Sequence, residues 1–160
     1  MRQASTPVVI DYRDVEALRG QIRTDFTAWS NEIEVTQQII DEFSRLSGDD
    51  YWIHSDPVRA RAESPYGTTI AQGMLVQSLV SRLDIAMPID VTGYRNMVNY
   101  GSDRVRYPSP VPAGSRIHGR CRMKQARAVE AGTLVTFEMH VHVVGNDRPC
   151  VINELLVLYM

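Results

Sequence analysis

Residues 71–87, Ala-Gln-Gly-Met-Leu-Val-Gln-Ser-Leu-Val-Ser-Arg-Leu-Asp-Ile-Ala-Met, decide how the rest of the chain is read. At helical spacing, Met74, Leu75, Val76, Leu79, Val80, Leu83 and Ile85 leave only a narrow polar stripe of Gln77, Ser78, Ser81 and Arg82. A helix that is apolar on most sides must be surrounded by protein. The surroundings are written in the C-terminal half. Ile117, Cys121 and Met123 alternate with Arg116, His118, Arg120, Arg122 and Lys124. Val135, Phe137, Met139, Val141 and Val143 alternate with Thr136, Glu138, His140 and His142, and Val151 to Tyr159 is a third β-rich run. Period-two patterning with one wet face implies antiparallel strands packed on their dry face.

The expected class is therefore α+β: a curved antiparallel β-sheet wrapped around one long central helix, a hot-dog arrangement. Upstream, residues 11–19 are expected to form a short helix with Asp11 as cap and Gly20 as stop. Phe26 to Val35 reads as extended. Thr36 caps a second helix with Ile39, Ile40, Phe43 and Leu46 on one face, ended by Gly48. Asp56-Pro57 opens another helical turn, since proline suits the first helical position, and Ser64-Pro65-Tyr66-Gly67 breaks it. With no linker, repeat or low-complexity stretch, residues 1–160 read as one domain.

Composition narrows the function. The 160 residues are 44% hydrophobic and 22% charged, as in an ordinary globular chain. Seventeen Lys+Arg against nineteen Asp+Glu give a formal charge of -2, so no global field draws nucleic acid. No segment approaches the roughly 18 consecutive apolar residues of a membrane span, and Met1 to Pro7 lacks a signal pattern. Cys121 and Cys150 have no metal-ligand spacing, which makes a disulfide framework unexpected and a reducing cytoplasm the expected setting. His140 and His142 share a strand face but lack a third ligand, so no metal is expected. The basic side chains of Arg116 to Lys124 read first as a solvated sheet face, with coenzyme A phosphates as the alternative.

Two segments have the residue types for chemistry. In Ser47-Gly48-Asp49-Asp50-Tyr51-Trp52-Ile53-His54, a carboxylate and an imidazole follow a helix closely enough to converge on one water molecule. Such a pair can take a proton from water and deliver one to carbon; the same residues also suit a turn Asp and a structural loop His. In Gly67-Thr68-Thr69-Ile70-Ala71-Gln72-Gly73-Met74, a glycine stands at the entrance of the buried helix, where free N–H groups can receive a developing oxyanion. Close packing of helix on sheet explains that glycine equally well.

Together, "SGDDYWIHSDPVRARAESPYGTTIAQGMLVQSL" and "NYGSDRVRYPSPVPAGSRI" resemble the MaoC-like family of (R)-specific enoyl-CoA hydratases and dehydratases, closest to its nodulation protein N-like branch. The resemblance implies that Asp49 and His54 are the catalytic dyad, that Gly73 N–H forms the oxyanion hole, and that Ser81 faces the active site from the central helix. It also implies at least a homodimer, with the acyl thioester, on coenzyme A or acyl carrier protein, bound near the subunit interface. Two departures stand out: Tyr51-Trp52 replaces the Asn-Pro of many hydratases, and Gln72 replaces the histidine common before the glycine. Gln72, expected with Gly73 and Ser81 to bind substrate, still hydrogen-bonds but does not titrate near neutral pH. The expected activity is reversible hydration of a 2-enoyl thioester to a 3-hydroxyacyl thioester, with no cofactor. The rivals are a dehydratase of carrier-bound chains, a hot-dog thioesterase and a silent partner subunit.

Overall fold

The apolar run before residue 87 and the alternating strands after it meet face to face. In the computed structural model, which describes residues 8–160, β1 (Val8–Asp11), α1 (Val15–Arg19), β2 (Ile33–Val35) and α2 (Gln37–Ser47) come first. Two short helices, α3 (Trp52–Ser55) and α4 (Pro57–Glu63), lead to α5 (Gly73–Ser78), which continues as a 3-10 turn over Leu79–Arg82. Strands β3 (Ile89–Thr92), β4 (Met97–Arg106), β5 (Ser115–Val129), β6 (Gly132–Val143) and β7 (Val151–Tyr159) follow.

The main sheet runs β2-β5-β6-β7-β4 with antiparallel neighbours throughout. Ile117 pairs with Val143 and His118 with His142, so the apolar alternates of both strands share one face. Against that face α5 and its 3-10 turn press Leu75, Val76, Leu79 and Leu83, which cluster with Val35, Ile40, Ile117, Val141 and Val151. A second cluster surrounds Phe137 and Val135, closed by Ile10, Leu18, Ile89 and Val91. No helix among the described residues is long and apolar enough to cross a membrane.

Several expectations change at the edges of elements. The helix predicted across 71–87 is shorter: regular α-helix stops at Ser78, and Leu83 is already extended. Asn31 supplies the reason. Its Oδ1 accepts Asp84 N at 2.6 Å and its Nδ2 donates to Arg82 O at 3.3 Å, capturing groups the helix would otherwise use. Asp11 is not a helix cap. It ends β1, which pairs in parallel with β3, and its carboxylate accepts from Arg13 Nε at 2.8 Å. Asp14 caps α1 instead, accepting Ala17 N at 3.0 Å.

Helix α2 starts and stops as its sequence predicts, with Thr36 Oγ1 accepting Ile39 N at 3.3 Å and Gly48 left-handed at φ 79°. Leu46, however, is 83% exposed; it lies about 120° around the helix from buried Ile40. Of Phe26 to Val35, only β2 joins the ladder. Before it, Thr27 N donates to Cys121 O at 2.8 Å while Thr27 Oγ1 accepts Cys121 N at 3.1 Å. Ser30 repeats this pair of bonds on Gly119, at 2.9 Å each. Hydroxyls thus cap the exposed edge of β5, which protects it from pairing elsewhere.

This strap corrects the solvated reading of the basic sheet face at Arg120 and Arg122, while Arg116 and Lys124 are exposed as that reading expects. Phe26 and Trp29 fold over it, with the Arg120 guanidinium 4.9 Å from the Phe26 ring and 4.2 Å from the Trp29 ring. Trp29 stacks on His118 at 3.9 Å. Arg122 and His140 both reach Glu138, at 2.8 and 2.9 Å.

Candidate active site

The left-handed turn at Gly48 releases the chain from α2 and starts the loop that contains Asp49 and His54. Asp49 is exposed; its N–H donates to Ser47 Oγ at 3.2 Å. His54, on α3, is half-buried and held from three directions. Its Nδ1 lies 2.7 Å from Ile70 O, its carbonyl accepts Gln37 Nε2 at 2.8 Å, and Ile70 N donates to Ile53 O at 3.1 Å. A carbonyl oxygen only accepts, so Nδ1 carries the proton of the neutral ring and Nε2 keeps a lone pair. Gln37 is itself fixed by Asp41 Oδ1 at 2.8 Å and by the Thr69 hydroxyl. Trp52, next to the dyad residues, lies under the Arg59 guanidinium of α4 at 4.4 Å, so the Tyr51-Trp52 version of the loop is braced by a cation–π contact.

Gly73 is the first residue of α5. A Cβ there would lie 2.6 Å from the Tyr107 ring, so the glycine makes room for that aromatic side chain. His54, Gly73, Val76, Tyr66, Tyr107 and Pro108 are among the residues lining a pocket of about 250 Å³. His54 and Gly73 are thus brought onto one wall. Gln72 lies behind it: buried, with Nε2 donating to Ser44 Oγ at 2.9 Å and to Asp49 O at 3.3 Å. That amide ties the end of α2, the Asp49 loop and the start of α5 together. Ser81 is exposed on the 3-10 turn and lines a different, larger cavity of about 450 Å³.

Tyr107, Gln37 and Thr69 are site residues that no sequence pattern marks. Gln37 and Thr69 have no pattern of their own, because their role is to hold a distant loop. Tyr107 stands in Arg-Tyr-Pro, a run without a period that would mark it. On the far side of the sheet, His140 pairs with Glu138 and His142 Nδ1 lies 3.0 Å from Asn146 O. Among the described residues no three His, Cys, Asp or Glu side chains gather as a metal site.

Known proteins resemble this chain in sequence and in fold. The 3-hydroxyacyl-thioester dehydratase Z of Mycobacterium tuberculosis is 37% identical over 132 residues, 82% of this chain and 86% of that protein. Nodulation protein N of Rhizobium leguminosarum bv. viciae is 40% identical over 121 residues, 75% of each. The (R)-hydratase from A. caviae superposes with a TM-score of 0.66 at 20% identity, covering 84% of this chain and 96% of that one, and so shares the hot-dog fold. The model of the MaoC like domain matches residues 23–144, which take in the Asp49 loop, the Gly73 helix start and most of the sheet. The chain belongs to the MaoC-like domain family.

Proposed function

We propose that this chain is a hydro-lyase, one domain over residues 1–160, that reversibly adds water to a trans-2-enoyl thioester to give the 3-hydroxyacyl thioester. The observation that supports it most directly is the fixed imidazole of His54: with Nδ1 committed to Ile70 O, its Nε2 is free to act as a base on the pocket wall that also holds Gly73. In hydration, Asp49 and His54 orient and deprotonate water, whose oxygen bonds to C3. The carbonyl oxygen takes up the displaced electron pair, stabilised by Gly73 N–H, and C2 receives a proton from the dyad. Dehydration is the reverse. The thioester itself acidifies the C2–H bond, so this chemistry asks for no metal or redox cofactor. Gln72 is a positioning residue, since its amide joins Asp49 to the helix start; Ser81 contacts the acyl portion from the neighbouring cavity.

The working unit is a homodimer in this reading. Among the described residues the ten-residue strand β4 is paired on one side only, and it exposes Met97, Val98 and Tyr100. A cytoplasmic setting fits two free, buried cysteines; burial pushes Cys121 up to about 11 and Cys150 up to about 12, so neither is a thiolate at neutral pH.

The test is a series of enoyl-CoA thioesters of graded length, followed by loss of the conjugated thioester absorbance. Asp49→Asn and His54→Ala are each expected to lower kcat by about 10²–10⁴-fold while the melting temperature holds. Release of free coenzyme A without hydration would instead make the protein a thioesterase. An Asp49→Asn protein with wild-type rates would remove the dyad from the mechanism.

A further inference from the structure

Helix α5 has a cavity on either side. One is the pocket of about 250 Å³ that holds His54 and Gly73. The other, of about 450 Å³, is walled on the helix side by Met74, Gln77 and Ser81 and on the sheet side by Asn99, Met139 and Asn153. Tyr107 belongs to the first wall and Gln77 to the second. The Tyr107 hydroxyl donates to Gln77 Oε1 at 2.7 Å, so one hydrogen bond spans the boundary between them.

Asn153 is the anomaly in the larger cavity. It stands on the helix-facing side of β7, between Val105 of β4 and Met139 of β6, and is only 6% exposed. Its Oδ1 is buried with no hydrogen-bond partner among the described residues. A buried carbonyl left without a donor loses its hydration and gains nothing in return. Packing does not require the amide either: Leu155 and Val157, which follow it on the same face, are apolar. Among the described residues no charged side chain lines this cavity.

We propose that the larger cavity holds the acyl chain of the substrate and that Asn153 selects chains bearing a hydroxyl group. This rests on the thioester hydro-lyase reading above and adds the class of substrate to it. Asn153 lines the cavity, and a hydroxyl both donates and accepts, so it pairs with whichever atom of the amide is turned to the chain, whereas a plain methylene chain pairs with neither. A carboxylate or ammonium substituent would lack a counter-charge. The hydroxyl meant is not the one formed at C3. Val105, paired with Asn153, lies two residues before Tyr107, a separation of roughly 7 Å along the strand, and the C3 chemistry belongs on the far side of Tyr107. The chain reaches Asn153 past the Tyr107–Gln77 contact, with its hydroxyl several carbons beyond the reacting bond.

The experiment compares the intact protein with Asn153→Leu, close to asparagine in size and shape, and with Asn153→Ala as a second variant. The probes are saturated acyl-CoA thioesters, which this reaction does not turn over, and the matching 2-enoyl-CoA thioesters, each with and without a hydroxyl moved carbon by carbon outward from C4. Calorimetry on the saturated set is expected to show binding at least about ten-fold tighter at one favoured hydroxyl position, and both variants are expected to lose that preference. Equal binding of hydroxylated and plain chains by the wild-type protein overturns the inference, as does a preference that survives in both variants. Turnover of the enoyl set reports separately on the function. Selective binding without any hydration would keep the Asn153 assignment and defeat the hydro-lyase reading; hydration without selectivity would do the reverse.

Discussion

On the side of β5, β6 and β7 that faces α5, Ile117, Val141 and Val151 pack against Leu75, Val76 and Leu79, yet the packing leaves cavities and an unpartnered amide at Asn153. On the opposite side, polar and charged alternates of the same strands are covered around Arg120, Glu138 and His142 and largely tied to one another, with Arg116 and Lys124 exposed at the margin. Glu138 receives Arg122, His140 and, at 3.8 Å, Lys124, while Lys124 also reaches Glu154 at 2.6 Å. Arg120 Nε and the buried His142 Nε2 lack conventional partners, but Trp29 meets the Arg120 guanidinium with its face and the His142 ring at an edge-to-face angle. The apolar face is therefore the incomplete one. Its unfilled space, with the Asn153 amide on the wall, suits a ligand, whereas the middle of the polar face is closed by its own strap.

The largest expected effect breaks the apolar face directly. Leu79, 7% exposed in the 3-10 turn, sits in the cluster that joins helix to sheet. Leu79→Ala is expected to cost about 2–5 kcal/mol in urea denaturation. A loss below 1 kcal/mol, on the scale of an exposed site, would mean that this turn does not anchor the sheet.

A smaller effect is expected from the strap. Trp29→Ala removes the ring from both His118 and Arg120, and should lower stability by about 1–2 kcal/mol. The same variant should keep its kcat on an enoyl-CoA thioester. A kinetic defect at unchanged stability would reverse the division of labour between the two faces.

The smallest expected effect is on pH dependence. Burial lowers the pKa of His118, His140 and His142 below the usual 6.5, with Glu138 pulling His140 partly back and Arg120 adding to the lowering in all three. The folded state therefore binds protons less readily than the unfolded chain. Stability is fully present above about pH 6.5 and is lost as pH falls through the folded-state values. Thermal melts should show Tm falling by on the order of a few °C between neutral and mildly acidic pH. His140→Gln should flatten that slope. A Tm that rises on acidification would mean that the strap gains more from charged imidazoles than burial costs.

Much of the frame was legible in the chain itself. The apolar run from Met74 to Leu83 and the period-two alternation of β5 and β6 declare a helix against a sheet, because side-chain direction repeats every 3.6 residues in one and every 2 in the other. Thr36, Gly48 and Asp56-Pro57 mark the helix boundaries just before and after the Asp49–His54 loop for equally local reasons. Strand β4 has no such signature, because it is an exposed, bulged edge whose residues bury little and so show no alternation. The early end of the central helix depends on Asn31, and the covering of the basic face on Phe26 and Trp29. Each acts on residues about 50 to 110 positions away, and no local pattern records such a partner. The same holds at the site. Asp49, His54 and Gly73 stand out by type and spacing, but the carbonyl that fixes the His54 tautomer, the aromatic ring lying on Gly73 and the lone amide of Asn153 follow from the folding of separate segments around one helix. Local periodicity and turn chemistry determine which elements form. Which side chains meet, and which polar atoms are left unpaired, is decided only when those elements pack.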